Sequence, residues 1–129
     1  MYNRTDNKEE AAISYQQMAQ VRKDMNDPEG AIVDLQNALS NVREKPDEAI
    51  KIKQEIAKTY ISDDQVDKAI EVNKELVEEA KQMDDPKIEI QQLKNLSEVY
   101  LDANQTTAGI KALREAYDLA IKNGETMQA

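Results

Sequence analysis

The side chains able to do chemistry in this 129-residue chain are carboxylates and ammonium groups, 26 Asp and Glu against 17 Lys and Arg, with no His and no Cys. Without His or Cys there is no thiolate nucleophile, histidine metal site, serine–histidine–aspartate triad or disulfide framework. Carboxylate pairs for acid–base catalysis can be drawn from so many acids that no pair stands out, so no catalytic residue is assigned and the chain reads as a non-enzyme. Asp24 and Asn26 begin like a calcium loop, but Pro28 and Glu29 stand where the loop requires a ligand and then Gly. A turn and helix cap explain them better, and neither a metal nor a cofactor is expected. Three triplets fit a glycosylation acceptor, Asn3-Arg4-Thr5, Asn95-Leu96-Ser97 and Asn104-Gln105-Thr106, and are read as chance. The mixed cluster Glu71, Glu75, Glu78 and Glu79 with Lys68, Lys74 and Lys81 reads as a solvated helix face.

The net charge of −9 has the wrong sign for phosphate backbones or anionic lipid, which argues against nucleic acid and membrane surfaces as partners. No apolar run approaches the roughly 18 residues of a membrane span, and Met1 to Glu10 is polar, so a cytoplasmic location is expected unless a signal or anchor lies in a longer parent protein. Aromatics are 4% of residues, and Gly and Pro number three each, a composition that points to helices within one domain covering residues 1–129.

The prolines punctuate that domain, since Pro at the first helical position sacrifices no hydrogen bond. Asp27-Pro28 and Asp85-Pro86 read as an N-cap followed by the first helical residue, Pro46 precedes the acids Asp47 and Glu48, and Asn123-Gly124 reads as a C-terminal stop. Between these marks Ala31, Ile32, Leu35, Ala38, Leu39 and Val42 recur at helical steps. Helices are predicted at about 8–24, 28–44, 47–62, 65–83, 87–103 and 106–123, with short connections that make neighbours antiparallel.

The helices also repeat. The stripe of the second helix returns as Val66, Ala69, Ile70, Leu76, Val77 and Ala80, and again as Gly109, Ile110, Leu113, Ala116, Tyr117, Ala120 and Ile121. The step from Ala31 to Ala69 is 38 residues and from Ala69 to Gly109 is 40, and the same steps carry Met18-Ala19 to Ile56-Ala57 to Leu96-Ser97. The repeating unit is a helical hairpin, with units at about 8–45, 46–84 and 85–123. Small residues at Ala19, Ala57, Ser97, Ala31, Ala69 and Gly109 would let paired helices approach closely.

This pattern resembles the tetratricopeptide repeat (TPR) family. Tyr15 and Leu93 stand at the family's aromatic position in the first and third units, and Tyr60 and Tyr100 at its Tyr position. Arg22, Lys53 and Asn73 depart from the motif, and the steps exceed the usual length of about 34 residues. The resemblance implies an all-α fold of three antiparallel helix pairs stacked as a right-handed superhelix, an α-solenoid. It further implies that the first helix of each pair lines a groove for a protein or peptide. The groove positions are then Gln16, Gln20 and Lys23; Lys51, Gln54 and Lys58; and Gln91, Lys94 and Glu98, a Lys- and Gln-lined surface suited to an acidic or amide-rich partner. A carboxylate clamp known in one branch of the family is not expected, because Gln16, Gln20, Glu55, Gln91 and Asn95 occupy its positions.

The leading expectation is a scaffold or adaptor domain. Its alternatives are a peptide-sensing part of a larger bacterial regulator and a homo-oligomerisation module. Tyr117 and Ile121, with Met127 beyond them, continue the stripe of the last helix where a repeat array needs polar capping, which marks a second surface for a further helix, the tail or a homodimer.

Overall fold

The computed structural model describes residues 4–128, with side chains over residues 7–124; the Asn3-Arg4-Thr5 triplet and the side chain of Met127 lie outside the described residues. The described residues are helical, in the order α1 (Arg4–Asp24), α2 (Pro28–Ser40), α3 (Pro46–Ser62), α4 (Val66–Gln82), α5 (Pro86–Asp102) and α6 (Thr106–Gln128). They fall into two compact units, Met1–Gln65 and Val66–Ala129. In the first, α2 packs against both α1 and α3; in the second, α5 packs against both α4 and α6.

The starts of the helices follow the local sequence. Asp27 caps α2 by accepting a hydrogen bond from the Gly30 amide at 3.0 Å, and Asp85 caps α5 by accepting from the amides of Lys87 and Ile88. Pro28, Pro46 and Pro86 each open a helix at its first position, where the missing N–H costs nothing. The ends use a device that composition does not advertise: Asn26, Asp64, Asp84 and Asn104 have φ between 53° and 62°. These short polar residues adopt the left-handed conformation that reverses the chain after a helix, a role more often given to Gly.

Three helix boundaries differ from expectation, the first being α1, which begins at Arg4 rather than near residue 8. α2 stops at Ser40 rather than near residue 44, where the Ser40 and Asn41 side chains bond back to the carbonyls of Gln36 and Asn37. α6 runs through the expected stop at Asn123-Gly124 to Gln128. No glycine in the described chain has positive φ, so Gly124 acts as an ordinary helical residue, at a propensity cost of about 1 kcal/mol.

The small residues do bring the helices close. Ala19, Ala31, Ala38, Ala69 and Ala80 are essentially inaccessible. Gly109 stands at the position of Ala31 and Ala69, where a Cβ would lie 2.9 Å from Leu101 Cδ2 and 3.3 Å from the Ser97 carbonyl oxygen, so any larger residue requires the exposed Leu101 side chain to move aside. Polar residues within the core are satisfied locally: Thr59 Oγ1 donates to the Glu55 carbonyl at 2.8 Å, Ser97 Oγ to the Lys94 carbonyl at 2.6 Å, and Asn73 Nδ2 to the Ala69 carbonyl at 2.9 Å. Asn73 thus fills a position where the repeat pattern calls for a large apolar residue without leaving an unmet amide. Arg22, which replaces the motif's Tyr, donates through Nε to the buried Asp34 carboxylate at 2.7 Å and through Nη1 to Asp27 at 3.3 Å, tying the end of α1 to α2. Burial of Asp34 is compensated by that pair.

Candidate functional site

In the first unit α1 and α3 present polar rows along one side. Gln16 and Gln20 on α1 are exposed, as are Lys51 and Lys58 on α3, while Lys23 and Gln54 are half-buried. A cleft of about 240 Å³ opens between these helices, lined by Glu9, Ala12, Ile13 and Gln16 of α1 and by Glu48, Lys51 and Ile52 of α3. The structure therefore brings Gln16 and Lys51 to one concavity, floored by Ala12 and Ile52. Lys51 forms no ion pair among the described residues, whereas Glu9 is paired with Lys45 just before α3.

Lys23 and Lys58 are in a different state. Lys23 Nζ reaches Glu55 Oε2 at 3.0 Å and Lys58 Nζ lies 3.6 Å from Glu55 Oε1, so one carboxylate on α3 holds two of the cations expected to face a partner. Partial burial pushes the Glu55 carboxyl up, but the hydrogen bond and charge of Lys23 and the charge of Lys58 outweigh it and hold the group below the ordinary carboxylate value. This ion pair links α1 to α3 at one end of the surface. Gln20 donates to Asp24 at 3.1 Å along its own helix.

The repeat steps of 38 and 40 residues identify a position that transfer of the groove pattern missed: Ile13 is the counterpart of Lys51 and Gln91. Ile13, Gln16 and Gln20 then match Lys51, Gln54 and Lys58, and Gln91, Lys94 and Glu98, each set spaced by three and four residues along one helical face. Ile13 is more than half exposed and adds an apolar contact to the cleft. In the second unit Gln91, Lys94 and Glu98 are exposed on α5, and Gln91 donates to Asn95 at 3.1 Å. Lys94 forms no ion pair among the described residues.

The second unit also holds a larger cleft, about 510 Å³, that sequence reasoning did not single out. Leu93, Leu96 and Tyr100 of α5 form its floor, and Lys74, Glu78 and Lys81 of α4 and Lys111 and Glu115 of α6 are among the residues at its sides. It lies on the side of α5 away from Gln91, Lys94 and Glu98. Its cations are partly neutralised within single helices, Lys74 by Glu71 at 3.9 Å and Lys81 by Glu78 at 3.5 Å. These exposed pairs contribute little. No group of His, Cys, Asp and Glu able to hold a metal occurs among the described residues. Nor is any described helix long and apolar enough to cross a membrane.

The fold is shared with repeat proteins of known structure. A kinesin light chain-like protein of Podospora anserina, with nearly identical TPR-like repeats, superposes with a TM-score of 0.73 at 14% identity, over 88% of this chain and 57% of that one. BtubC (BKLC) from P. vanneervenii gives 0.69 at 20% identity, over 88% of this chain and 48% of that one. The N-terminal domain of stress-induced protein-1 from C. elegans gives 0.69 at 13% identity, over 99% of this chain and all of that one. The chain thus spans about half the length of the first two relatives. At such identities the likeness establishes the all-α TPR, or α-solenoid, fold. No curated protein matches the sequence. The family described as soluble NSF attachment protein, SNAP, matches residues 1–129 without remainder, and the chain therefore belongs to that family of TPR-like proteins.

Proposed function

We propose that residues 1–129 act as a single repeat domain of the cytoplasm that binds a protein or peptide partner, a scaffold or adaptor without catalysis. The family match over the whole length supports the single-domain reading, and the family's description, attachment to NSF, supports a protein as the class of partner. TPR-like repeat folds commonly serve as interaction scaffolds. Each unit offers its own candidate surface: Gln16, Gln20, Lys51, Gln54 and Lys58 with Ile13 beside them in the first, and the equivalent row Gln91, Lys94 and Glu98 on α5 in the second.

The observation that carries this reading is the cleft between α1 and α3, where Lys51 stands without a counter-ion among the described residues beside Gln16 and above apolar Ala12, Ile13 and Ile52. A short acidic or amide-rich segment suits it. The ammonium group supplies charge complementarity, the glutamine amide pairs with peptide backbone, and the apolar floor takes a side chain. The half-neutralised Lys23 and Lys58 steer such a segment more weakly.

Charge reversal at Lys51, Lys58 and Lys94 tests it, read by fluorescence anisotropy with a short labelled Glu- and Gln-rich peptide. Binding should weaken by at least about tenfold with helicity by circular dichroism unchanged. Equal affinity in the wild type and the triple variant would sink the proposal.

A further inference from the structure

The repeat register exposes a mismatch between equivalent positions. Ile32 of α2 and Ile70 of α4 are 6% and 5% exposed, but their counterpart Ile110 of α6 is 52% exposed. Leu35 and Asn73 are each 3% exposed, whereas Leu113 is 42%. Tyr117, counterpart of the largely covered Leu39 and Val77, is one of the most open apolar side chains in the chain. In α2 and α4 this face lies on a helix that packs against the helix following it, α3 and α5 respectively. α6 packs against α5 and carries the same face, with Ile121 one turn further on, uncovered.

The complementary half of the interface is open elsewhere. On α3 and α5, Ile56 and Leu96 are buried, and so are Thr59 and Val99. Their counterparts on α1 are Met18 and Val21, 42% and 55% exposed, with Met25 still more open one turn beyond. α1 thus carries, uncovered, the face with which α3 meets α2 and α5 meets α4. The charges beside the two open faces are mixed, exposed Arg114 and Asp118 by the α6 stripe and exposed Glu10, Arg22 and Asp24 by the α1 face, so the match between the faces rests on the repeat register.

We propose that a second copy of this chain covers the α6 stripe: Ile110, Leu113 and Tyr117 of one molecule receive Met18 and Val21 of the next, repeating between molecules the contact that α2 makes with α3 and α4 with α5 within each unit. Such a contact joins two different surfaces, so it leaves a free α6 face at one end of every dimer and a free α1 face at the other. Association therefore continues with concentration instead of stopping at two.

Two variants of exposed residues, Leu113→Glu on α6 and Val21→Glu on α1, separate this arrangement from its rivals by sedimentation velocity on the full chain, with circular dichroism confirming that each variant keeps wild-type helicity. The wild type should show a weight-average mass that rises steadily with concentration. Each variant alone should stay monomeric, and an equimolar mixture of the two should form a dimer that grows no further, since one intact α6 face meets one intact α1 face. A wild type that remains monomeric at millimolar concentration overturns the proposal. So does a dimer that survives Val21→Glu but not Leu113→Glu, which would mean that two α6 faces meet each other.

Discussion

α2 and α6 carry nearly the same apolar pattern, Ala31, Ile32, Leu35 and Leu39 in one and Gly109, Ile110, Leu113 and Tyr117 in the other, yet the first is core and the second largely surface. The periodicity of a helix says which face is apolar, and only the presence of a neighbour decides whether that face is buried. α2 has helices on two sides within its unit, and α6 has α5 on one. At about 25 cal/mol per Å² of apolar area, Leu35 at 3% exposed and Leu113 at 42% differ by less than about twofold in transfer, and the cavity left in an enclosed site widens the contrast.

The largest expected contrast follows. Leu35→Ala should cost about 2–5 kcal/mol in urea unfolding because it empties a buried site, while Leu113→Ala should cost no more than about 1 kcal/mol at concentrations where the chain is monomeric. Equal losses would erase the distinction between the two helices. Next in size, Ala31→Leu should cost about 1–3 kcal/mol by overpacking an inaccessible position, and Ala120→Leu on exposed α6 should be close to neutral in the same measurement.

The smallest effect concerns the ion pair at the α1–α3 surface. Glu55 has its carboxyl held below the ordinary value of 4.5, so its contribution is present above that pH and is lost as pH falls through the lower folded-state value. The group is nearly half exposed, which makes the effect modest. Glu55→Gln should be slightly less stable than wild type near neutral pH, and the two melting curves should converge below about pH 4.5. A gap that persists in acid would assign Glu55 a role other than its charge.

Much of this was legible in the residues. The three prolines and the Asp caps placed helix starts to within a residue or two, because their mechanisms are local. The hairpin repeat was legible because Ala, Ile and Leu recur at fixed steps. The end of α2 was missed because it depends on Ser40 and Asn41 turning back on the backbone in competition with a stripe that continues to Val42. The run of α6 through Gly124 was missed because Gly ends a helix only when the chain turns there, and nothing local obliges it to turn.

Within the candidate surface, the polar rows are what the resemblance to the repeat family implies, and their electrostatic state left no sequence signal. Glu55 lies 32 residues from Lys23, and only the packing of α1 beside α3 reveals that it holds that lysine. Ile13 was recoverable from the 38-residue step to Lys51 and was overlooked because an isoleucine does not look like a member of a polar row. The α4–α5–α6 cleft left no sequence signal, since its floor of Leu93, Leu96 and Tyr100 reads as ordinary core.

Hydrogen–deuterium exchange read by mass spectrometry at two protein concentrations tests the contrast between α2 and α6 most directly. In dilute solution amides of residues 110–121 should exchange faster than those of residues 31–40, and on concentration protection should rise in α6 and in α1 around Met18 to Met25 while α2 is unchanged. Equal protection of α2 and α6 in dilute solution, or a rise in α6 with none in α1, would contradict the account.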